Sequence, residues 1–210
     1  MNQIKNKYAF VLKSIKKHTQ IPRTVESLKG KTYIVSGGTR GIGYNIAKKL
    51  VMSGANVSII GKTKEKHPKL QGTIYTSAEE INNTAKRYSC VGIPCDIRDE
   101  KHIKFAVDET IDHFGNIDGV ILNASALCLN DTLNQTSKEV QLMSDVNING
   151  AYLFGQHCLK RMKYNKGHIL MIAPPIDMLY TDEWWTNHLY YSMSKFNMSL
   201  MAKYWNKEFP

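Results

Sequence analysis

Tyr191 and Lys195 stand four residues apart in Tyr191-Ser192-Met193-Ser194-Lys195. On a helix, i and i+4 share one face. A phenol is a weak acid at neutral pH, and a cation held on the same face makes the phenolate easier to form. Such a pair can give a proton to a substrate oxygen or take one from it. A second group suits a different task. Ser36-Gly37-Gly38-Thr39-Arg40-Gly41-Ile42-Gly43 follows the apolar run Tyr33-Ile34-Val35 and precedes Tyr44 to Val51, where apolar residues recur at helical spacing. Glycines where a strand turns into a helix let backbone N–H groups approach a phosphate closely. The same loop offers Thr39 and Arg40 beside Gly41, Ile42 and Gly43.

These groups need a scaffold, and the chain supplies one by alternation. Strands are expected at Thr32 to Ser36, Asn56 to Ile60, Val91 to Cys95, Gly119 to Leu122 and Gly167 to Ile172. Helices are expected at Gly41 to Met52, from Ser77 to about Tyr88, at Glu100 to Phe114, along Thr136 to Asn165 with an interruption at Gly150, and around Tyr191. Ser77, with Glu80 three residues on, reads as the cap of the second helix, and His67 to Thr76 as a loop. Asp99 reads as the cap of the third. Strands alternating with helices predict a doubly wound α/β fold with a parallel sheet of the Rossmann type.

The tip of the second strand bears on the dinucleotide. An acid about 20 residues past the glycines holds the ribose hydroxyls of NAD. Here Gly61-Lys62-Thr63-Lys64 has no acid. Lys62 and Arg40 are therefore candidates to pair with a 2′-phosphate, which favours NADP(H), though both also read as solvated surface charges.

Ser36-Gly37-x-x-x-Gly41-Ile42-Gly43 together with Tyr191-x-x-x-Lys195 resembles the short-chain dehydrogenase/reductase family, with Ser36 where the family usually has Thr. The resemblance implies an oxidoreductase that passes hydride between a nicotinamide and a carbonyl or alcohol carbon, with Tyr191 as acid/base and Lys195 also holding the cofactor ribose. It assigns the adenine contact to Asp96, a ribose-side position to Asn123 in Leu122-Asn123-Ala124-Ser125, and the catalytic Asn to Asn147. It also marks departures. The family's Ser after strand five is Pro174 here, preceded by Ala173, so no hydroxyl stands ready for the substrate oxygen. His67-Pro68-Lys69-Leu70, Gly72-Thr73-Ile74-Tyr75-Thr76 and Pro174-Pro175 followed by Trp184 narrow the likeness to the hydroxysteroid dehydrogenase-like subgroup, which implies lipid metabolism in mitochondria or peroxisomes. Relative to the family pattern, the last two strands are expected to be missing, as in a fragment or truncated product. A homodimer through Thr136 to Asn165 and the Tyr191 helix is also implied. The reading of a different class is a non-catalytic dinucleotide-binding or scaffolding protein, to which Ala173 and Pro174 point.

Composition bounds the rest. The 210 residues carry a formal net charge of +10. Much of that excess lies in a basic extension, residues 1–27, ahead of a domain over 28–210. Residues 1–20 read as an amphipathic helix with Tyr8, Phe10, Val11, Leu12 and Ile15 on its apolar side, serving either as a mitochondrial targeting segment or as a solvated extension. An intracellular chain is expected, mitochondrial or cytoplasmic, with the peroxisome also open. No nucleic-acid motif accompanies the charge, so nucleic acid is not an expected partner. The four cysteines show no metal-ligand spacing and read as reduced thiols, and no apolar run is long enough to span a membrane. Met178, Leu179, Tyr180, Trp184 and Trp185 read either as an apolar wall for a small-molecule substrate or as plain packing.

Overall fold

A computed structural model describes residues 28–66, 68, 72–162, 167–174 and 187–209. The basic extension, Pro175 and the stretch from Met178 to Trp185 lie outside them. Five strands, β1 (Thr32–Ser36), β2 (Asn56–Gly61), β3 (Cys90–Pro94), β4 (Gly119–Leu122) and β5 (His168–Met171), form one parallel sheet in the order β3-β2-β1-β4-β5. The expected strands match these to within a residue or two at each end. The helices are α1 (Gly41–Met52), α2 (Ile74–Ala85), α3 (Glu100–Phe114), α4 (Ser137–Met143), α5 (Ala151–Leu159) and α6 (Leu189–Glu208).

Period-2 alternation in the strands makes the two faces. Val35, Val57, Ile59 and Ile121 point to one side, where α1 and α2 cover them with Ala47, Val51, Ile74 and Ile81. Ile34, Ile60, Ile93, Val120 and Leu122 point to the other, under Ile103, Val107, Phe154, Met198 and Trp205 of α3, α5 and α6. Most of these side chains are fully buried, each contributing on the order of 1.5–3 kcal/mol. This is the doubly wound arrangement. Chain order reverses between β1 and β4, so the loops leaving those two strands diverge and open a crevice at the carboxyl edge of the sheet.

Two helix expectations are corrected. The cap of α2 is Thr73, not Ser77: Thr73 accepts from the Thr76 N–H, and the Thr76 side chain accepts from the Thr73 N–H in return. A Thr at the third position closes the capping box as a Glu would. The helix thus starts earlier because Ile74 is wholly buried against the sheet. Ser77, inside the helix, donates to the Thr39 carbonyl at 2.7 Å. The second correction concerns the long helix, which does not break at Gly150. It passes from α4 to α5 through a π-helical turn over Ser144–Gly150, capped at its start by Thr136 with Glu139. Asp99 caps α3 as expected, accepting from the Lys101 N–H at 2.8 Å.

Candidate functional site

The crevice between the ends of β1 and β4 is tied together by Ser36. The residue is 1% exposed, and its hydroxyl donates to the Ile121 carbonyl and accepts from the N–H groups of Asn123 at 3.0 Å and Ala124 at 3.1 Å. Asn123 answers from just beyond β4: its Nδ2 donates to the carbonyls of Ser36 at 3.0 Å and Gly37 at 3.2 Å. The Gly37 N–H donates to the Ile60 carbonyl, anchoring the loop to β2 as well. These side chains hold the glycine loop in shape, so Ser36 and Asn123 act here through the backbone they position. Gly43 sits where the first turn of α1 crosses that backbone, and a Cβ on it would meet the Gly37 carbonyl oxygen at 2.4 Å.

A phosphate fits the result. Gly41 has φ +60, and a Cβ there would project into open space. The 12-residue α1 begins at that point with no side-chain cap and no acid in its first turn. The first N–H groups of a helix have no partner within it, and with the helix dipole they are the kind of donor set a dinucleotide pyrophosphate takes. Thr39 is buried beneath the loop, and Ile42 is exposed on its outer side. Arg40 Nη2 reaches across to Thr63 Oγ1 at 3.3 Å and the Gly72 carbonyl at 3.4 Å, so its guanidinium lies between the glycine loop and the tip of β2. Lys62 is exposed at that tip. Asp96, just beyond β3, accepts from Arg98 Nη2 at 2.6 Å. That bond above all, with the Lys62 charge as a smaller contributor, holds its carboxylate below the usual range.

The other half of the site comes from α6. Its entry is pinned: the His188 N–H donates to the Asn130 carbonyl, and the Tyr190 hydroxyl bonds the Ser144 hydroxyl of the π turn. Tyr190 is thereby committed, and Tyr191 beside it is likewise half-buried. Lys195 is 6% exposed, and its Nζ lies 3.2 Å from Met198 Sδ. Burial lowers its pKa. Asn147 is fully buried within the π turn. Its side chain does not bond back to its own helix. Its Oδ1 accepts from the Ala126 N–H at 2.8 Å, and its Nδ2 donates to the Ala126 carbonyl and to Ser194 Oγ, each at 2.9 Å. Ser194 Oγ in turn donates to the Tyr191 carbonyl at 2.7 Å.

The structure therefore brings Asn147, Ser194 and the backbone of Tyr191 into one chain of bonds. Among the described residues no side-chain hydrogen bond joins Asn147 or Tyr191 directly to Lys195. Ser194 and Ser144 were missed by the sequence reading. The Ser preceding the Lys of Y-x-x-x-K was a visible signal for the first, whereas only the fold brings the second to Tyr190. Ser199 Oγ donates to the Pro174 carbonyl at 2.6 Å, so the segment after β5 is held against α6 although Pro174 has no donor of its own.

Other chemistry finds little support. Cys90, Cys95 and Cys158 are buried, and burial pushes the first two thiols up to about 12, far from reactive thiolates. Among the described residues no cluster of His, Cys, Asp and Glu could hold a metal, and no helix is long and apolar enough to cross a membrane.

The arrangement has relatives. Residues 31–210 match the family described as short chain dehydrogenase. Hydroxysteroid dehydrogenase-like protein 2 of Mus musculus is 42% identical over 185 residues, covering 87% of this chain and 36% of the relative. The protein of that name from Homo sapiens is 41% identical, with 87% and 43% covered. The chain thus spans less than half the length of these curated relatives. Among solved structures, a putative dehydrogenase from Xanthomonas campestris is 38% identical with a TM-score of 0.78, covering 87% of this chain and 66% of that one. A short chain dehydrogenase from Mycobacterium thermoresistibile is 39% identical with a TM-score of 0.77, covering 87% and 64%. A blue fluorescent protein from a metagenomic library, solved in complex with NADPH, shares the fold at 20% identity and a TM-score of 0.74. With a parallel sheet, a glycine loop at the switch point and a Tyr-Lys helix beside it, the chain belongs to the short chain dehydrogenase family of nicotinamide-dependent oxidoreductases.

Proposed function

We propose that the chain is an NADP(H)-dependent oxidoreductase acting on a small carbonyl or alcohol, with Tyr191 as acid/base. The observation that carries this reading is Lys195: a buried ammonium one helical turn from Tyr191, with no carboxylate partner among the described residues. Holding such a charge out of water is unfavourable for folding alone, and it is suited to stabilising a phenolate. A bound nicotinamide dinucleotide supplies or accepts hydride. In the reducing direction Tyr191 delivers its phenolic proton to the substrate oxygen as the carbonyl electrons move onto that oxygen. In the oxidising direction it takes the hydroxyl proton. Asn147, through Ser194, fixes the helix that presents Tyr191.

Preference for NADP(H) rests on Lys62 and Arg40 at the β2 tip, where no acid opposes a 2′-phosphate. Asp96 and Asn123 flank the adenine and ribose stretch of this proposed path, with Ser36, Gly37, Thr39, Gly41, Ile42 and Gly43 shaping it. An apolar, lipid-like substrate is proposed from the composition of Met178 to Trp185, and a homodimer from the exposed apolar residues of α5 and α6.

Titration with NADPH and NADH, read by nicotinamide fluorescence, tests the proposal. NADPH is expected to bind more tightly. Lys62→Ala and Arg40→Ala each weaken NADPH by about tenfold and leave NADH nearly unchanged. Tyr191→Phe keeps the binding and abolishes turnover in a screen of apolar ketones and aldehydes. Equal affinity for the two cofactors would overturn the NADP(H) assignment, and unchanged turnover in Tyr191→Phe would overturn the acid/base role.

A further inference from the structure

At the sheet edge away from Tyr191, β3 has no neighbouring strand among the described residues. A groove of about 490 Å³ runs along it between α2 and α3. Three of its aromatic residues stand in water: Tyr75 is 50% exposed, Phe105 52% and Tyr88 75%. Its charged lining is Glu79 and Glu109, with no lysine or arginine. An open strand edge ordinarily accepts another strand. Here Asn82 stands in that place: its Oδ1 accepts from the N–H groups of Ser89 and Cys90, and its Nδ2 donates to the Cys90 carbonyl, all at 2.8 Å. With the start of the edge already satisfied, the groove suits an amphipathic helix better than a strand.

We propose that this groove docks the chain's own basic segment, residues 1–20. That segment carries Lys5, Lys7, Lys13, Lys16 and Lys17 and no Asp or Glu, so its charge complements Glu79 and Glu109. Tyr8, Leu12 and Ile15 recur at i, i+4 and i+7, which puts an apolar strip on one helical face to meet the aromatic rim. The chain enters the domain on the correct side. The Leu28 N–H donates to the Ser53 carbonyl at the end of α1. Arg87, two residues before β3's flank at Ser89, clasps the carbonyls of Val51 and Ala55 next to it. β1 and β3 are two strand spacings apart, about 10 Å. Residues 21–27, between that segment and Leu28, span about 15 Å even as a flexible tether. Tethering at this range gives an effective concentration of about a millimolar, so a weak contact suffices.

The test is zero-length carbodiimide coupling of the full chain, with linked peptides read by mass spectrometry. The expected result is links from lysines of residues 5–17 to Glu79 or Glu109 within the monomer band. Phe105→Ser leaves both carboxylates in place and is expected to lower that yield about tenfold. Tyr88→Ser, at the most exposed of the three aromatics, serves as the second variant should the first fail to fold by circular dichroism. Links scattered over other carboxylates, a yield that neither variant changes, or links confined to a dimer band would overturn the proposal, the last by making a second copy the occupant.

Discussion

Lys195 is the residue whose environment works against stability. In the cofactor-free chain its burial lowers its pKa, so between that value and about 10.4 the unfolded chain binds more protons than the folded one. Stability therefore rises with pH through this window. Lys195→Met is expected to remove that slope and to stabilise the cofactor-free protein by about 1 kcal/mol or more at neutral pH. Urea unfolding from pH 7 to 10 measures both effects, and the same variant should lose turnover. Ala173 is the complementary position. Ala173→Ser restores a hydroxyl just before Pro174 and is expected to raise kcat/KM by about tenfold or more with any substrate found. Legibility at this scale follows side-chain reach. The i, i+4 spacing of Tyr191 and Lys195 and the glycines between β1 and α1 are visible in the sequence because each arrangement lies within one helical turn or one strand-to-helix turn. Ser36 read as a cofactor residue because its neighbours in sequence are glycines. Its actual partners, Ile121, Asn123 and Ala124, are some 85 residues away and come into range only when β4 pairs with β1.

At the scale of elements, the lower end of the sheet is held by one carboxylate. Asp118 accepts from the Thr32 N–H at 2.9 Å, Lys31 Nζ at 3.0 Å and Asn116 Nδ2 at 2.6 Å. Burial would raise its pKa, but these donors together outweigh burial and lower it. A depressed carboxyl stabilises the fold above its unfolded value of about 3.9, and that contribution is lost as the pH falls through the folded value. Asp118→Ala is expected to cost about 1–3 kcal/mol at pH 7 and to flatten the acid limb below pH 4 in thermal unfolding. Boundaries here were legible where a glycine or an acid marks the turn, as at Gly41 and Asp99. They failed at α2, where two threonines close the cap, and at the π turn, whose extra residue per turn leaves no mark on hydrophobic spacing.

At the scale of the molecule, α5 and α6 leave Tyr152, Met193, Leu200 and Tyr204 between 44% and 65% exposed on the side away from the sheet. We expect this face to close a homodimer. Light scattering should give twice the chain mass, and Leu200→Glu with Tyr204→Glu should return the monomer while NADPH affinity stays within about threefold. The division of the site has a further consequence, in the order of synthesis. Everything that shapes the proposed phosphate cradle, from β1 to Asn123, leaves the ribosome before Asn147, and well before α6 brings Tyr191 and Lys195. At the usual pace of translation the roughly 70 residues between β4 and Lys195 take about 4 to 15 s, long beside the folding time of small α/β units. A nascent chain thus carries the glycine loop and Asn123 for seconds before Tyr191 and Lys195 exist.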